Sequence, residues 1–223
     1  MSELVIGIIN YGAGNIFSVQ NACKTCGIPT KIISSQEELK GIEAIILPGV
    51  GSFPQAVKTL KSLGFWKPLL DHISSDKPLL GVCLGMQLMF ASSHEHGETE
   101  GLRAYENEVW HFEKFYEGEE NLRIPHMGWS EIHVSGAGHE VFENIETPFE
   151  AYFAHSYMVK AGENCSSNII GESEYGGVRY CSAIKKGNMV GVQFHPEKSA
   201  KKGLQVYKNF YKLCLNWKRK IND

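Results

Sequence analysis

Long apolar runs, a strong charge of either sign and a dense cysteine framework are all missing from this 223-residue chain. No apolar run reaches the roughly 18 residues of a membrane span, so we expect no membrane-spanning helix. The net charge of −3 gives no electrostatic reason to bind nucleic acid or an anionic membrane surface. The segment MSELVIGIIN lacks a basic region and a cleavage site, so we interpret it as a first strand and not as a signal peptide.

The cysteines are scattered along the chain, at Cys23, Cys26, Cys83, Cys165, Cys181 and Cys214. This spacing in a mid-sized chain fits a reducing compartment, so we expect a cytoplasmic protein. Cys23 and Cys26 form a C-x-x-C motif, which raises zinc binding or redox chemistry as alternatives. The chain has no second C-x-x-C and no strand directly before this one, which favours packing of both side chains on a helix.

Short apolar runs alternate with helical patterns through the first ninety residues. The expected strands are Leu4–Ile9, Thr30–Ile33, Ala44–Leu47 and Pro78–Val82, and helical patterns cover 15–26, 36–40, 53–63, 66–74 and 84–91. Strand-like pieces then follow one another up to residue 195, before a last helix, Ser199–Trp217. These patterns predict one domain, residues 1–223, with an α/β fold: a three-layer sandwich whose mostly parallel central sheet has an antiparallel extension.

A cysteine lies between two glycines where one strand is expected to end and a helix to begin. Gly81-Val82-Cys83-Leu84-Gly85 is a G-x-C-x-G motif, the thiol form of a nucleophile elbow. Small residues on both sides let neighbouring backbone pass close to the turn. The helix N-terminus behind the thiol favours the thiolate and can hold an oxyanion. The alternative interpretation is a buried core cysteine with accidental glycines.

A nucleophilic thiol needs a base, and His195 is the strongest candidate among nine histidines. It is expected at the end of the strand MVGVQFH, where Pro196 stops the strand. Because residues i and i+2 of an extended segment point to the same side, Glu197 should reach the imidazole and orient it. The glycine-rich loop of Gly49, Val50 and Gly51 follows a neighbouring strand, and its N–H groups, with that of Leu84, could form an oxyanion hole.

These motifs resemble those of the class I glutamine amidotransferases along the whole chain. PGVGSF, GVCLGMQLMF and GVQFHPEK look like the family's three main motifs, in the family's order. NYGAGN, PHMGWS (125–130) and YFAHSY (152–157) are similar to a narrower group, the glutaminase subunit of imidazole glycerol phosphate synthase. The resemblance implies hydrolysis of L-glutamine to glutamate and ammonia through a Cys83 thioester, with His195 as acid–base and Glu197 orienting it, and without a metal or cofactor.

The resemblance also implies where glutamine would bind. Gln87, one helical turn beyond Cys83, matches a glutamine-binding position. Glu95 matches a position suited to the substrate's α-ammonium group, and Ser156 and Tyr157 match positions whose backbone contacts its α-amino-acid end. His94-Glu95-His96 also invites a metal interpretation, but no further ligands are evident from the sequence.

A partner is implied as well, because ammonia passes in that group to a separate (βα)8-barrel synthase subunit that makes imidazole glycerol phosphate and AICAR in histidine biosynthesis. The positions that match this heterodimer interface are Asn15, Trp129, Tyr152 and Lys198. Ser130 departs from the usual Asn, and related subunits serve synthases that amidinate surface sugars. Two other classes stay open: a peptidase-like protein with a cysteine elbow, and a binding module without catalysis.

Overall fold

The computed structural model describes residues 4–119, 121–135, 140–162 and 167–222, so Cys165 lies outside the described residues. The strands within these ranges are β1 (Ile6–Ile9), β2 (Thr30–Ile33), β3 (Ala44–Gly49), β4 (Leu79–Cys83), β5 (Ser92–Ser93), β6 (Thr99–Glu100), β7 (Glu108–His111), β8 (His126–Val134), β9 (Phe149–His155), β10 (Tyr157–Met158), β11 (Ile169–Tyr175), β12 (Val178–Lys186) and β13 (Met189–Val192). The α-helices are α1 (Ile16–Thr25), α2 (Phe53–Ser62), α3 (Trp66–Ser74), α4 (Leu84–Leu88) and α5 (Ala200–Asn222). Short 3-10 helices cover Gln36–Leu39, Phe112–Lys114, Glu140–Phe142 and Pro196–Lys198.

Nine of the strands in the described ranges form one large sheet, in the order β2-β1-β3-β4-β13-β12-β11-β8-β9. The strands from β2 to β13 in this order pair in parallel, and those from β13 to β9 pair antiparallel. The expected parallel sheet with an antiparallel extension is therefore confirmed. A small sheet, β10-β7-β5-β6, lies beside it.

Helices cover both faces of the parallel part of the sheet. Ile6, Ile8 and Ile46 pack into one buried cluster with side chains of α1 and α5. Ile45 and Leu47, which point to the opposite face, belong to a second cluster with α2, α3 and α4. This alternation along β3 produces the three layers, because successive side chains of a strand face opposite sides.

Polar caps begin the two helices that follow the loops near Cys83. The Asn15 side chain accepts a hydrogen bond from the N–H of Ser18 at the start of α1. Ser52 does the same for Gln55 at the start of α2, whose second residue is a proline. Such caps satisfy N–H groups that have no partner inside a helix, so the sequence fixes where both helices begin.

Among the boundaries expected from the sequence, three differ from the structure by three residues or more, and others by one or two. The helix after Cys83 ends at Leu88 and not at Ala91, while the last helix continues to Asn222. Strand β13 ends at Val192, three residues before His195. Within the described ranges, every helix is too short or too polar to cross a bilayer.

Candidate active site

Cys83 ends strand β4 and begins helix α4 in a backbone conformation that side chains rarely adopt. Its φ is 54° and its ψ is −112°. Such a conformation costs about 1–3 kcal/mol and persists only where the surrounding structure enforces it. The strained turn holds the thiol at the carboxyl edge of the parallel sheet, as the elbow motif predicts. Because α4 has only five residues, the helix-dipole part of the prediction has little structural support.

The glycines of the motif are required by close backbone contacts. A Cβ at Gly85 would lie 1.7 Å from the carbonyl oxygen of Leu47 in β3. At Gly81, a Cβ would lie 2.5 Å from Sδ of Met89 and 2.7 Å from the carbonyl oxygen of Gly85. The expectation that both positions must be small is therefore confirmed, and the neighbouring strand holds the turn in place.

His195 and Glu197 are in contact, although the local structure differs from the expected extended segment. The Nδ1 atom of His195 lies 2.9 Å from Oε1 of Glu197. Glu197 belongs to the 3-10 helix Pro196–Lys198, and this turn, not a strand, brings its carboxylate back to the imidazole. Tyr207 on α5 donates its hydroxyl to the second carboxylate oxygen at 3.3 Å.

The surroundings of His195 favour its charged form. Burial lowers the pKa of the imidazole, but hydrogen bonding to Cys83 and Glu197 and the negative charges of both groups outweigh burial and raise the pKa to about 10. At neutral pH the imidazolium therefore lies between the Cys83 sulfur and the Glu197 carboxylate. This is the arrangement of a nucleophile, a proton carrier and an orienting acid.

The thiol opens into a cavity of about 180 Å³. The cavity is lined by most of the side chains selected from the sequence, namely Val50, Gly51, Cys83, Leu84, Gln87, Glu95, Ser156 and Tyr157, together with Pro125, Ala154 and His155. A larger cavity of about 440 Å³ lies between the Gln36–Leu39 turn and α3, and its lining contains none of the selected residues.

Gln87 and Glu95 are held by bonds that reach across the cavity. The Gln87 amide donates to the carbonyl oxygen of Tyr157 at 2.8 Å and to Oε1 of Gln193 at 3.0 Å. Oε2 of Glu95 accepts the N–H of Phe53, the first residue of α2, at 2.6 Å. Glu95 therefore fixes the start of the helix that follows the Gly49–Gly51 loop.

The Gly49–Gly51 loop lies beside the cysteine turn. Gly49 pairs in register with Cys83, and a Cβ at Gly49 would lie 3.0 Å from Cβ of Leu84. Gly51 has a φ of +101°, which favours glycine, and Val50 between them is 45% exposed. The loop therefore meets the cavity with glycine at two of its three positions, which permits backbone conformations that other residues rarely adopt.

Several residues at the site were not found from the sequence. Gln193 places its Nε2 atom 3.7 Å from Sγ of Cys83. Nδ1 of His155 lies 2.9 Å from the carbonyl oxygen of Tyr157. Ser199 receives the N–H of Tyr152 and donates to the carbonyl oxygen of His195, so it ties the His195 turn to β9. The only sequence signal for these residues was their position beside the motifs.

This geometry agrees with a comparison to known families. The family profile of glutamine amidotransferase class-I matches residues 7–214. The chain belongs to the class I glutamine amidotransferases. Two curated relatives are named imidazole glycerol phosphate synthase subunit HisH. That of Caldanaerobacter subterraneus subsp. tengcongensis is 41% identical over 95% of this chain and 100% of its own length, and that of Desulfitobacterium hafniense (strain DSM 10664 / DCB-2) is 40% identical over 93% and 94%.

Solved structures support the fold of this amidotransferase. A structure described as glutamine amidotransferase aligns with a TM-score of 0.70 at 19% identity, over 94% of this chain and 98% of the other. PurLQS of Thermotoga maritima aligns with a TM-score of 0.71 at 16% identity, over 97% and 99%. At these identities the similarity establishes the fold alone.

Three of the four positions that the family resemblance places at a partner interface lie together on this amidotransferase. Trp129 on β8 pairs with Tyr152 on β9, and their rings meet edge to face at 6.3 Å. Nζ of Lys198 lies 5.3 Å from the Tyr152 ring. Trp129 is 51% exposed. Asn15, the fourth position, is exposed at the N-cap of α1.

The His94-Glu95-His96 motif and the C-x-x-C motif are both explained by contacts within the amidotransferase. Nε2 of His94 lies 3.0 Å from Oε2 of Glu108, and the His94 ring stacks on Trp110. Cys23 lies on α1 and is buried in the core, and Cys26, the C-cap residue of α1, packs against the core, so the helix-packing prediction is confirmed. Within the described ranges, no three His, Cys, Asp or Glu side chains are grouped so that they could hold a metal ion.

Proposed function

We propose that this chain hydrolyses L-glutamine to glutamate and ammonia with Cys83, His195 and Glu197, and passes the ammonia to a (βα)8-barrel synthase subunit in histidine biosynthesis. The observation that carries the proposal is the strained Cys83 turn, which opens into a cavity lined by Gln87, Glu95 and Tyr157. The names of the curated relatives support the choice of synthase.

The proposed reaction begins when the Cys83 thiolate, paired with the His195 imidazolium, attacks the carboxamide carbon of glutamine. The oxyanion that forms would be held by N–H groups of the Gly49–Gly51 loop and of Leu84. The His195 imidazolium gives its proton to the departing nitrogen, so that ammonia leaves and a thioester remains. Neutral His195 then takes a proton from water, whose oxygen displaces the sulfur and releases glutamate.

Glutamine would be oriented by groups that already meet across the cavity. The free side of the Glu95 carboxylate suits the α-ammonium group, and the backbone of Ser156 and Tyr157 suits the α-carboxylate end. Glu197 keeps the imidazole in the orientation in which Nε2 can face the sulfur, because Nδ1 is occupied by the carboxylate.

The surface beside the cavity supports a protein partner. Met127 and Trp129 on β8 are exposed large apolar side chains, 64% and 51% accessible, and Lys198 lies beside them across Tyr152. Exposed apolar groups of this kind mark association surfaces. We propose that the synthase docks here, with Asn15 at the edge of the contact. The synthase would make imidazole glycerol phosphate and AICAR.

Ser130 remains the one departure from the motif of histidine-pathway subunits, and a synthase that amidinates a surface sugar is the second candidate partner. The Ser130 hydroxyl lies 2.8 Å from Nε2 of the buried His126. Because this hydroxyl faces inward, the substitution has no direct bearing on which partner the surface fits.

The five described cysteines carry thiols and not disulfides, which supports a cytoplasmic location.

The test separates glutamine hydrolysis from synthesis. The chain is assembled with the barrel synthase, and glutamate and imidazole glycerol phosphate are measured in parallel. Cys83→Ala should abolish formation of both from glutamine, whereas ammonium salt at high pH should restore imidazole glycerol phosphate alone. Cys26→Ser serves as the matched control and should leave both activities unchanged. An assembled Cys83→Ala complex that made no product with abundant ammonia would contradict the division of labour.

A further inference from the structure

Tyr11, which follows β1, carries a hydroxyl group without a hydrogen-bond partner. The residue is 2% exposed. In the part of the chain that the structure describes, its hydroxyl and that of Ser182 are the two buried side-chain polar atoms with no partner. A buried hydroxyl that makes no hydrogen bond is costly, and such groups are rare in native proteins. This one therefore requires a physical explanation.

The hydroxyl lies against the loop that would form the oxyanion hole. A Cβ built on Gly49 would be 2.3 Å from the Tyr11 oxygen, so that the phenol touches the Gly49 backbone. Gly49 pairs with Cys83 on one side and precedes Val50, which lines the cavity, on the other. Burial, and then the negative charge of Cys83, raise the pKa of Tyr11, so the phenol stays protonated and is a hydrogen-bond donor at neutral pH.

The phenol is fixed, whereas the loop beside it can move. The Tyr11 ring belongs to the buried cluster that contains Leu47, Phe53 and Leu84, and only 2% of the residue is exposed. Gly49 and Gly51 flank the exposed Val50, and glycines allow a peptide plane to turn over with little steric hindrance. If the hydroxyl is to gain a partner, the loop backbone must supply it.

We propose that Tyr11 is a positioning residue for the glutaminase reaction, whose hydroxyl donates to the backbone of the Gly49–Gly51 loop once the loop has turned its N–H groups toward the oxyanion. The inference rests on the proposed function of the chain. The loop conformation in this structure leaves the hydroxyl unpartnered, and the turned loop would satisfy it. Tyr11 thereby favours the active loop over the resting one.

The test replaces only the hydroxyl, with Tyr11→Phe, in the chain assembled with the barrel synthase. We expect the kcat for glutamine hydrolysis to fall at least about fivefold, which is ~1 kcal/mol in the barrier, with little change in KM. The melting temperature of the isolated chain should stay the same or rise, because an unpartnered polar group is removed.

Tyr105→Phe is the matched control, because Tyr105 is also buried but its hydroxyl donates to the carbonyl oxygen of Met189 at 3.0 Å. This variant should melt at a lower temperature and keep its kcat. An unchanged kcat in Tyr11→Phe would overturn the proposal, and so would a kcat loss that merely followed a loss of stability.

Alkylation of Cys83 by iodoacetamide tests whether Tyr11 acts on the Gly49–Gly51 loop or directly on the Cys83 sulfur. Alkylation needs no oxyanion hole, so its rate and pH dependence should be the same in Tyr11→Phe and wild type. A shifted alkylation profile would mean that the phenol acts on the sulfur, which overturns the assignment to the loop. If the wild-type complex did not hydrolyse glutamine, the proposed function and this inference would both fail.

Discussion

The carbonyl oxygen of Leu47 occupies the space that a side chain at Gly85 would need, since a Cβ there would lie 1.7 Å away. Strand β3 therefore packs directly against the first turn of α4. This contact holds Cys83, the residue just before α4, at its φ of 54°. Neither Leu47 nor Gly85 takes part in the proposed chemistry. The backbone contact between them nevertheless determines where the thiol lies.

Gly85→Ala should therefore damage both stability and activity. The methyl group must displace β3 or α4, and overpacking of this kind costs about 1–3 kcal/mol in the free energy of unfolding. Urea denaturation measures the loss, and glutamine turnover reports the displacement of Cys83. Gly162→Ala is the control, because a Cβ there meets nothing within 4 Å. Equal stability of the two variants would contradict the role of the close contact.

Cys83 should be the first cysteine to react with a glutamine-like electrophile. The competing thiols Cys23 and Cys214 are buried in the core, and burial raises the pKa of both, to about 12 for Cys23. Peptide mapping by mass spectrometry after brief labelling at pH 8 identifies the modified residue. Cys26→Ser should label at the wild-type rate. Equal modification of Cys83 and Cys214 in the folded chain would speak against the proposed nucleophile.

Glu197→Gln should lower the pKa of His195 from about 10, because Glu197 supplies both a hydrogen bond and a negative charge that raise it. The raised pKa stabilises the fold fully below the unfolded value near 6.5, and this contribution is lost as pH rises toward 10. Histidine NMR titration of the isolated chain measures the pKa. Glu143→Gln, which breaks only the ion pair with Lys212, is the control. A His195 pKa unaffected by Glu197→Gln would show that the carboxylate does not act on the imidazole.

Acid should destabilise the chain through histidines that are buried in their neutral form. Burial lowers the pKa of His72 and His126 to about 4 and that of His155 to about 3. The unfolded chain binds protons at these residues below pH 6.5 while the folded chain does not, so the free energy of unfolding falls as pH falls from 6.5 to 4. Each such histidine contributes a slope of up to ~1.4 kcal/mol per pH unit.

The variant His72→Gln tests this pH dependence of stability at a residue that does not line the Cys83 cavity. Its urea-derived stability should depend less steeply on pH between 6.5 and 4 than that of wild type. His133→Gln, at a side chain that is 66% exposed, is the matched control and should keep the wild-type slope. The explanation would be wrong if both variants showed the same pH dependence as wild type.

Much of the parallel part of the large sheet could be predicted from sequence, because its strands are short apolar runs bounded by glycine and proline. Thr30–Ile33 and Trp66–Ser74 have the expected boundaries in the structure. The turn at Cys83 was also predictable, because the two glycines of G-x-C-x-G indicate positions where neighbouring atoms leave no room for a side chain. The antiparallel half was predicted only as a set of strands, since register and order depend on distant partners such as β8 and β11.

The unpredicted parts of the site depend on tertiary contacts. Gln193 reaches Cys83 because β13 and β4 are neighbours, and no local pattern marks that pairing. The His195–Glu197 contact was expected from a strand but arises from a 3-10 turn, in which residues i and i+2 can also meet. Tyr11 lies within the NYGAGN motif, but its distinguishing property is a missing hydrogen bond that only the packed structure reveals.

The pairing of β4 with β13 brings together two residues that the ribosome makes at very different times. Cys83 ends β4 and His195 lies three residues after the adjacent strand β13, yet 112 positions separate them in the chain. At a synthesis rate of about 5–20 residues per second, the thiol leaves the peptidyl-transferase centre roughly 6–22 s before the imidazole. A growing chain thus carries its nucleophile without its base. The proposed site is complete only once His195 and Glu197 have been made and β13 has paired with β4, so a chain that ends before His195 should not hydrolyse glutamine.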